Sequence, residues 1–256
     1  MNLTGKTVLL TGAAGRIGSS VAKHALACGA NVVLSDIAID RLKQLQEELN
    51  LEFPGKSFVV KSDLVVDEGI DYLIAQAHEV AGVITSAVHC AYPVSANWGA
   101  RIENLNSTYL FQDLSMQLGG AIIFSQKILE YFRLHGGGDL VHISSIQGIQ
   151  PPKFDHYEGT DMTSPVEYAA IKSGIISITR WLAKYFANQG IRVNCVSPGG
   201  ILDGQPQVFL ERYRQSCTNI GMLTADQVAS SIVYLLSPQS AAINGHNMII
   251  DDGWSL

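Results

Sequence analysis

Tyr168 and Lys172 stand four residues apart in the run Tyr-Ala-Ala-Ile-Lys. On a helix that spacing puts both side chains on one face. An ammonium beside a phenol favours the phenolate, so the pair predicts a tyrosine lowered from its usual pKa of about 10. Such a phenol can exchange a proton with a substrate oxygen near neutral pH. Taken alone, the spacing also suits a solvated tyrosine beside a snorkelling lysine. Its place in the chain favours chemistry, because a glycine-rich turn and a Ser144-Ser145 pair closing an apolar run lie upstream.

The turn reads Thr11-Gly12-Ala13-Ala14-Gly15-Arg16-Ile17-Gly18, between a β-branched run and a helical pattern. Glycines there let backbone N–H groups approach a pyrophosphate, which the positive end of the helix also attracts. A strand-to-helix turn that merely needs positive φ would look similar, but the strand–turn–helix context points to a dinucleotide. Asp36 closes the next apolar run, roughly 20 residues on, where a carboxylate accepts ribose hydroxyls and repels a 2′-phosphate. Its other reading is an N-cap for the helix that follows. Arg16 could pair with a 2′-phosphate. It sits inside the phosphate turn, however, and the balance favours NAD over NADP.

The elements that must position these groups alternate along the chain. Strand-like runs fall at Thr7–Thr11, Asn31–Asp36, Ser57–Lys61, Ser86–Ala91, Leu140–Ser144, Ile191–Ser197 and Asn247–Asp251. Helical patterns fall at Ile17–Cys28, Ile39–Leu49, Glu68–Val80, Ala121–Leu134, Glu167–Ala187 and Ala225–Leu236. This alternation predicts an α/β fold, a doubly wound parallel (Rossmann) sheet of about seven strands with helices on both faces. Right-handed crossovers then gather the carboxyl ends of the strands on one edge, where a ligand crevice forms. Residues 1–256 suit a single domain. Two stretches look irregular, Tyr92–Asn106 and Gln147–Pro165, and loops of that length in a compact domain usually serve function.

Composition narrows the classes. Apolar residues make up 47% and charged residues 16%, enough for a large core. A net charge of −6 and no basic run argue against nucleic acid. Cys28, Cys90, Cys195 and Cys217 show no metal-ligand spacing and read as reduced thiols in a cytoplasmic protein without a metal site. No signal peptide or membrane-spanning stretch is visible.

With these motifs in order, the chain resembles the short-chain dehydrogenase/reductase family, in its compact single-domain branch, over essentially its whole length. The family's Thr-Gly-x-x-x-Gly-x-Gly turn maps to Thr11, Gly12 and Gly18, with Arg16 replacing the middle glycine. Asp63-Leu64 matches the pair that flanks adenine, and Ser145, Tyr168 and Lys172 match the catalytic set. Pro198-Gly199 and Gly245–Gly253 match the two C-terminal signatures, the latter with Asp252 after Asp251. The resemblance implies a cofactor site formed by Gly12, Ala14, Arg16, Ile17, Gly18, Asp36, Asp63, Leu64, Cys90, Ala91, Tyr168, Lys172, Pro198, Gly199 and Ile201. It also implies a homodimer or homotetramer paired through long helices, whose candidate contacts include Ile122, Ile123, Phe124, Trp181 and Phe186. Three departures stand out. His89-Cys90-Ala91-Tyr92 replaces the usual Asn-Asn-Ala-Gly, Gln117 replaces the relay asparagine, and 23 residues separate Ser145 from Tyr168, longer than usual. That spacing, with the Pro-Val-Glu-Tyr-Ala-Ala-Ile-Lys context, is similar to members found with bacterial sugar-acid and flagellin-glycosylation pathways.

The mapped residues imply hydride transfer between nicotinamide and a substrate carbon. Tyr168 moves the proton, Ser145 hydrogen-bonds the same oxygen, Lys172 lowers the phenol and binds ribose, and Gln117 holds a relay water. His89 and His156 read as structural histidines and Asn194 as a structural amide. Segments 147–167 and 200–221 should enclose the substrate. They offer Lys153, His156, Tyr157, Glu158, Asp161, Arg212, Tyr213 and Arg214 for a hydroxyl-rich or anionic ligand. An apolar lining of Ile149, Phe154, Met162 and Phe209 is the competing expectation. The reading is an NAD(P)-dependent alcohol/ketone oxidoreductase on a polar, sugar-like small molecule. Its alternatives are a 3-oxoacyl carrier reductase and a non-catalytic dinucleotide sensor.

Overall fold

Seven apolar runs become seven parallel strands: β1 Thr7–Thr11, β2 Asn31–Asp36, β3 Ser57–Lys61, β4 Ser86–His89, β5 Gly138–Ile143, β6 Ile191–Pro198 and β7 Asn247–Ile250. The computed structural model describes residues 1–256. The strand order is β3-β2-β1-β4-β5-β6-β7. Every neighbouring pair is parallel, as in Val8 opposite Val32 and Ser86 opposite Asp139. Parallel strands need covered faces, and β1 is buried throughout. The order reverses between β1 and β4, and the crevice beyond those two strand ends is where such sheets hold ligands.

Helices α1 Arg16–Ala27, α2 Ile39–Glu52 and α3 Asp67–Ala81 follow the first three strands. A short α4, Ser107–Asp113, passes through a π-helical stretch at Leu114–Gly119 into α5, Gly120–Leu134. Then come α6 Val166–Tyr185, α7 Gln207–Gln215 and α8 Ala225–Leu236. One face of the sheet is packed by α1, α2 and α8 around Val21, Leu42 and Ile232. The other is packed by α3, α5 and α6 around Leu73, Phe124 and Leu182. Side chains such as Phe124 and Phe132 are fully buried, each stabilising by roughly 1.5–3 kcal/mol through area removed from water.

The sequence reading missed α4 and α7 and started the fifth helix too late. Gly119 and Gly120 look like a break, yet both keep helical dihedrals, with φ −58° at each. Asn106 caps α4 by accepting from the backbone N–H of Thr108 and Tyr109. The α7 sequence is polar, and only Phe209 and Tyr213 anchor it. Strand β4 stops at His89 rather than Ala91, because Cys90 and Ala91 turn across the glycine turn.

Candidate active site

The glycine turn is bare for a steric reason. Gly12 has φ +63°, and a Cβ there would come within 2.6 Å of the Cys90 carbonyl oxygen. A Cβ on Gly18 would strike the Gly12 carbonyl, so the first turn of α1 packs against the turn without side chains. Gly15 caps α1 with no side-chain acceptor, leaving first-turn N–H groups free for an anion. A cavity of about 640 Å³ opens from this turn and runs over the ends of β4, β5 and β6. Its wall includes Gly12, Arg16, Ile17, Gly18, Cys90 and Ala91, then Pro198, Gly199 and Ile201.

Ala14, Asp36, Asp63 and Leu64 lie outside that wall, along the same sheet edge. The Asp36 carboxylate accepts from the N–H groups of Ala14, at 3.2 Å, and Ala38, at 3.1 Å. The α2 cap is Ala38 with no side-chain acceptor, so Asp36 is not the N-cap of that helix and faces the turn. Asp63 accepts from Val65 N–H and is otherwise exposed, while half-buried Leu64 packs on the core. Arg16 ion-pairs with Asp203, which lines the same cavity, and both are half exposed. The residues fit a dinucleotide: an anion-ready helix end, two glycines that let the turn pack tightly against backbone, and a carboxylate at the β2 terminus.

Ser145 follows β5 in extended conformation, and its Oγ accepts from Gln147 N–H at 3.2 Å. Tyr168 and Lys172 point from the first turns of α6 into the same cavity. Gly148 lets the two elements meet, since a Cβ there would lie 2.7 Å from the Lys172 carbonyl carbon. The Ser144 hydroxyl donates to the Lys172 carbonyl at 2.8 Å and fastens α6 to β5. Lys172 Nζ donates to the Ile143 carbonyl at 2.9 Å and lies 5.4 Å from the centre of the Tyr168 ring.

The expected lowering of Tyr168 by Lys172 is not what the site does. Burial dominates and raises the phenol, a hydrogen bond from Ser145 partly counters it, and Tyr157 adds to the rise. Four-residue spacing secures proximity but not Coulomb contact, and here the ammonium is held on a backbone carbonyl. Burial instead pushes Lys172 down to about 8. The site therefore pairs a neutral phenol with an amine that loses its proton just above neutral pH.

Gln117 is buried in the π-helical stretch and lines the cavity, and both its amide atoms lack a partner. Unpaired buried amide atoms are costly, so this side chain is set to receive a polar ligand or water. His89 is buried with Nδ1 3.0 Å from the Thr11 hydroxyl. Asn194 donates to the Ile243 carbonyl and accepts from His246 N–H, a structural tie between β6 and β7. No group of three or more His, Cys, Asp or Glu side chains is placed to hold a metal ion.

The substrate end departs from the polar lining expected of it. Of the eight named polar side chains, only His156, Tyr157 and Tyr213 line the cavity. Arg212 donates to the carbonyls of Asp155 and Glu158, tying α7 to the inserted segment. Lys153 donates to the Trp254 carbonyl and sits over its ring, and Arg214 is turned to the Cys217 carbonyl. The apolar alternative is also half right. Met162 and Phe209 face the cavity, whereas Ile149 and Phe154 are exposed. His156 is buried among Phe209, Tyr213 and Trp254, with Nε2 3.0 Å from the Ser216 hydroxyl.

Several lining residues were not foreseen: Tyr92, Trp98, Gln147, Thr163, Met222 and Trp254. Gln147 donates to the Tyr157 hydroxyl and accepts from Ser164. The aromatic content of the irregular stretch after His89 was the one available signal for Tyr92 and Trp98.

A family model described as enoyl-(acyl carrier protein) reductase matches residues 12–255. The chain is 38% identical to post-translational flagellin modification protein A of Campylobacter coli, covering 99% of this chain and 100% of that one. It is 25% identical to the 7alpha-hydroxysteroid dehydrogenase of Bacteroides fragilis, covering 98% and 95% of the two chains. Among solved structures, a short chain dehydrogenase from Leptospira borgpetersenii with bound NAD+ matches with a TM-score of 0.86 at 25% identity, covering 100% of this chain and 94% of that one.

Proposed function

Because the chain belongs to the short-chain dehydrogenase/reductase family, as an oxidoreductase acting on hydroxyl groups, we propose that it uses NAD to interconvert an alcohol and a ketone on a neutral, hydroxyl-rich small molecule. The observation that carries this is the single cavity joining the glycine turn to Ser145, Tyr168, Lys172 and Gln117. Its substrate end offers hydroxyls, amides and aromatic faces beside the apolar Met162, Phe209 and Met222. The arginines and the lysine of the covering segments are bound to backbone carbonyls, so an anionic substrate finds little to pair with. The Campylobacter coli relative is named for flagellin modification, and a hydroxylated precursor of a protein modification suits this lining.

Bound nicotinamide supplies the hydride acceptor or donor beside the reacting carbon. Tyr168 is the proton partner of the substrate oxygen: as the neutral phenol it gives its proton in reduction, and in oxidation it takes the alcohol proton after losing its own to solvent by way of the Lys172 amine. Ser145 Oγ, which here donates to the phenol, turns its one proton to the substrate oxygen and stabilises negative charge as it develops. Lys172 holds a ribose hydroxyl and passes protons to solvent through a water held by the Gln117 amide. Asp36 accepts the adenosine ribose hydroxyls and disfavours a 2′-phosphate, which selects NAD.

A panel of cyclic and open-chain polyols, their ketones and a 3-oxoacyl thioester, followed at the NADH absorbance, tests this reading. Turnover of polyols or their ketones with NAD is expected. Exclusive turnover of the thioester overturns it in favour of a carrier-linked acyl reductase, towards which Met162, Phe209 and Met222 lean. We further propose a homodimer or homotetramer formed through α5 and α6. Phe124 and Phe186 are spent inside the core, but Ile122 and Trp181 are exposed, the latter stacked on Tyr185 at 4.9 Å. Light scattering that returns a monomer at micromolar concentration counts against assembly.

A further inference from the structure

Three aromatic rings meet beside the reacting hydroxyl. Tyr92 stands at 89° to Tyr168 with centroids 6.0 Å apart, and Trp98 stands at 79° and 6.1 Å. Tyr92 and Trp98 are themselves perpendicular, 5.5 Å apart. Mutually upright rings form a corner rather than a flat stack, and all three line the cavity. Lys172 Nζ lies 5.1 Å from the centre of the Tyr92 ring, so the corner also borders the ammonium. No local turn geometry requires an aromatic at 92, which is the position of the glycine in the family pattern that the chain resembles.

The corner is held in place by dedicated contacts. Ser95 donates from both N–H and hydroxyl to the two oxygens of Asp113, each at 2.7 Å, and both residues are buried. Trp98 packs on the cluster of Ala121, Ile171 and Ile175. The Thr163 hydroxyl donates to the Gly99 carbonyl, joining this stretch to the inserted segment. Burial raises the Tyr92 phenol, which therefore meets a ligand as a neutral hydroxyl. Tyr92 nonetheless keeps 44% of its surface exposed, enough to offer a face.

The same cavity carries the linked amide and hydroxyls of Gln147, Tyr157 and Ser164. Aromatic faces are electron-rich and attract C–H groups, while amides and hydroxyls bind a polar rim. A saturated ring bearing hydroxyls presents those two surfaces at once. An open-chain polyol of equal polarity has no apolar face to lay against the corner.

We propose that Tyr92 and Trp98 are specificity-determining residues that select a saturated, hydroxylated ring, holding its C–H face so that one rim carbon meets Tyr168. This rests on the proposed alcohol oxidation at Tyr168 and adds the shape of the substrate to it. The test is saturation-transfer difference NMR on the NAD-bound protein with cyclohexane-1,2-diol and butane-2,3-diol, two vicinal diols differing in the ring. In the wild type the ring protons should receive several-fold more saturation than the open-chain protons. Tyr92→Leu and Trp98→Leu should bring the ring diol down to the open-chain level, with NAD titration unchanged, and Tyr92→Phe should keep the preference. Should Trp98→Leu fail to fold, half-exposed Tyr92 decides the matter. No ring-selective transfer in the wild type, or a preference that persists in Tyr92→Leu, overturns the proposal. Ring-selective binding without NADH formation from either diol would leave the corner standing and sink the hydride-transfer reading instead.

Discussion

The two histidines under the site should make this protein acid-labile in a calculable way. His142 is fully buried, with Nε2 3.0 Å from Ser125 Oγ. That hydroxyl already donates its only proton to the Ala121 carbonyl at 2.6 Å. Ser125 must therefore accept from His142, which fixes the neutral Nε2–H tautomer and leaves Nδ1 without a partner. His89 stacks on Phe124 at 4.6 Å and meets His142 edge-on at 5.9 Å. Burial foremost, then His142 and Lys172, pushes His89 down to about 3; burial and Lys172 push His142 to about 4. Both folded values lie below the ordinary 6.5, so the unfolded chain binds the protons the folded one refuses. Stability is present above pH 6.5 and is lost as pH falls towards 4 and 3. Between pH 7 and pH 5 each histidine costs about 2 kcal/mol, or about 4 kcal/mol together. At pH 5 the result hardly depends on the folded values, and His156, also lowered by burial, acts in the same direction. Against a typical total of roughly 5–15 kcal/mol that loss is large. Urea unfolding followed by circular dichroism at pH 7, 6 and 5 measures it. His142→Gln, which retains a donor for Ser125, should remove about half of the pH dependence. A difference below about 1 kcal/mol between pH 7 and pH 5 refutes the reasoning.

Tyr168→Phe keeps the ring and should lower turnover by about 10²–10⁴-fold with NAD binding intact; a variant retaining most activity excludes Tyr168 as the proton partner. Asp36→Ala should narrow the preference for NAD over NADP in paired titrations, and tighter NADP binding by the wild type would mean that Arg16 governs the choice. Asp203→Asn frees Arg16 from its ion pair and should tighten NAD by up to about fivefold, the scale of a surface pair. The same change in an Arg16→Gln background should do nothing, and an equal effect in both backgrounds would separate Asp203 from Arg16.

Most of the frame was readable because strand ends carry their chemistry in order: Thr11, Asp36, Ser145 and Pro198 each follow an apolar run, and parallel topology brings those ends together. Spacing along α6 likewise told that Tyr168 and Lys172 share a face. It could not tell that burial outweighs charge at the phenol, since desolvation depends on what packs around the helix. The side-chain directions of Arg212, Lys153 and Arg214 were hidden for a related reason. Cations look like ligands for substrate until the carbonyls that hold them are known, and those carbonyls lie 57 residues away for Arg212 and 101 for Lys153. Gly119-Gly120 concealed the continuous helix whose π-helical stretch carries Gln117, because glycine signals a break only when its dihedrals use its freedom.

Arg212 does more than cross a gap. By binding the carbonyls of Asp155 and Glu158 it joins the insert to α7, and Phe209, Tyr213, Met222 and Trp254 pack with Tyr157 and Met162 into a small core of their own. A covering with a shared core, to which Ile146 beside Ser145 also belongs, is one plate fixed at the sheet edge rather than two independent flaps. A new preference would be acquired by transplanting the plate entire, since a lone exchange within it disturbs both segments at once.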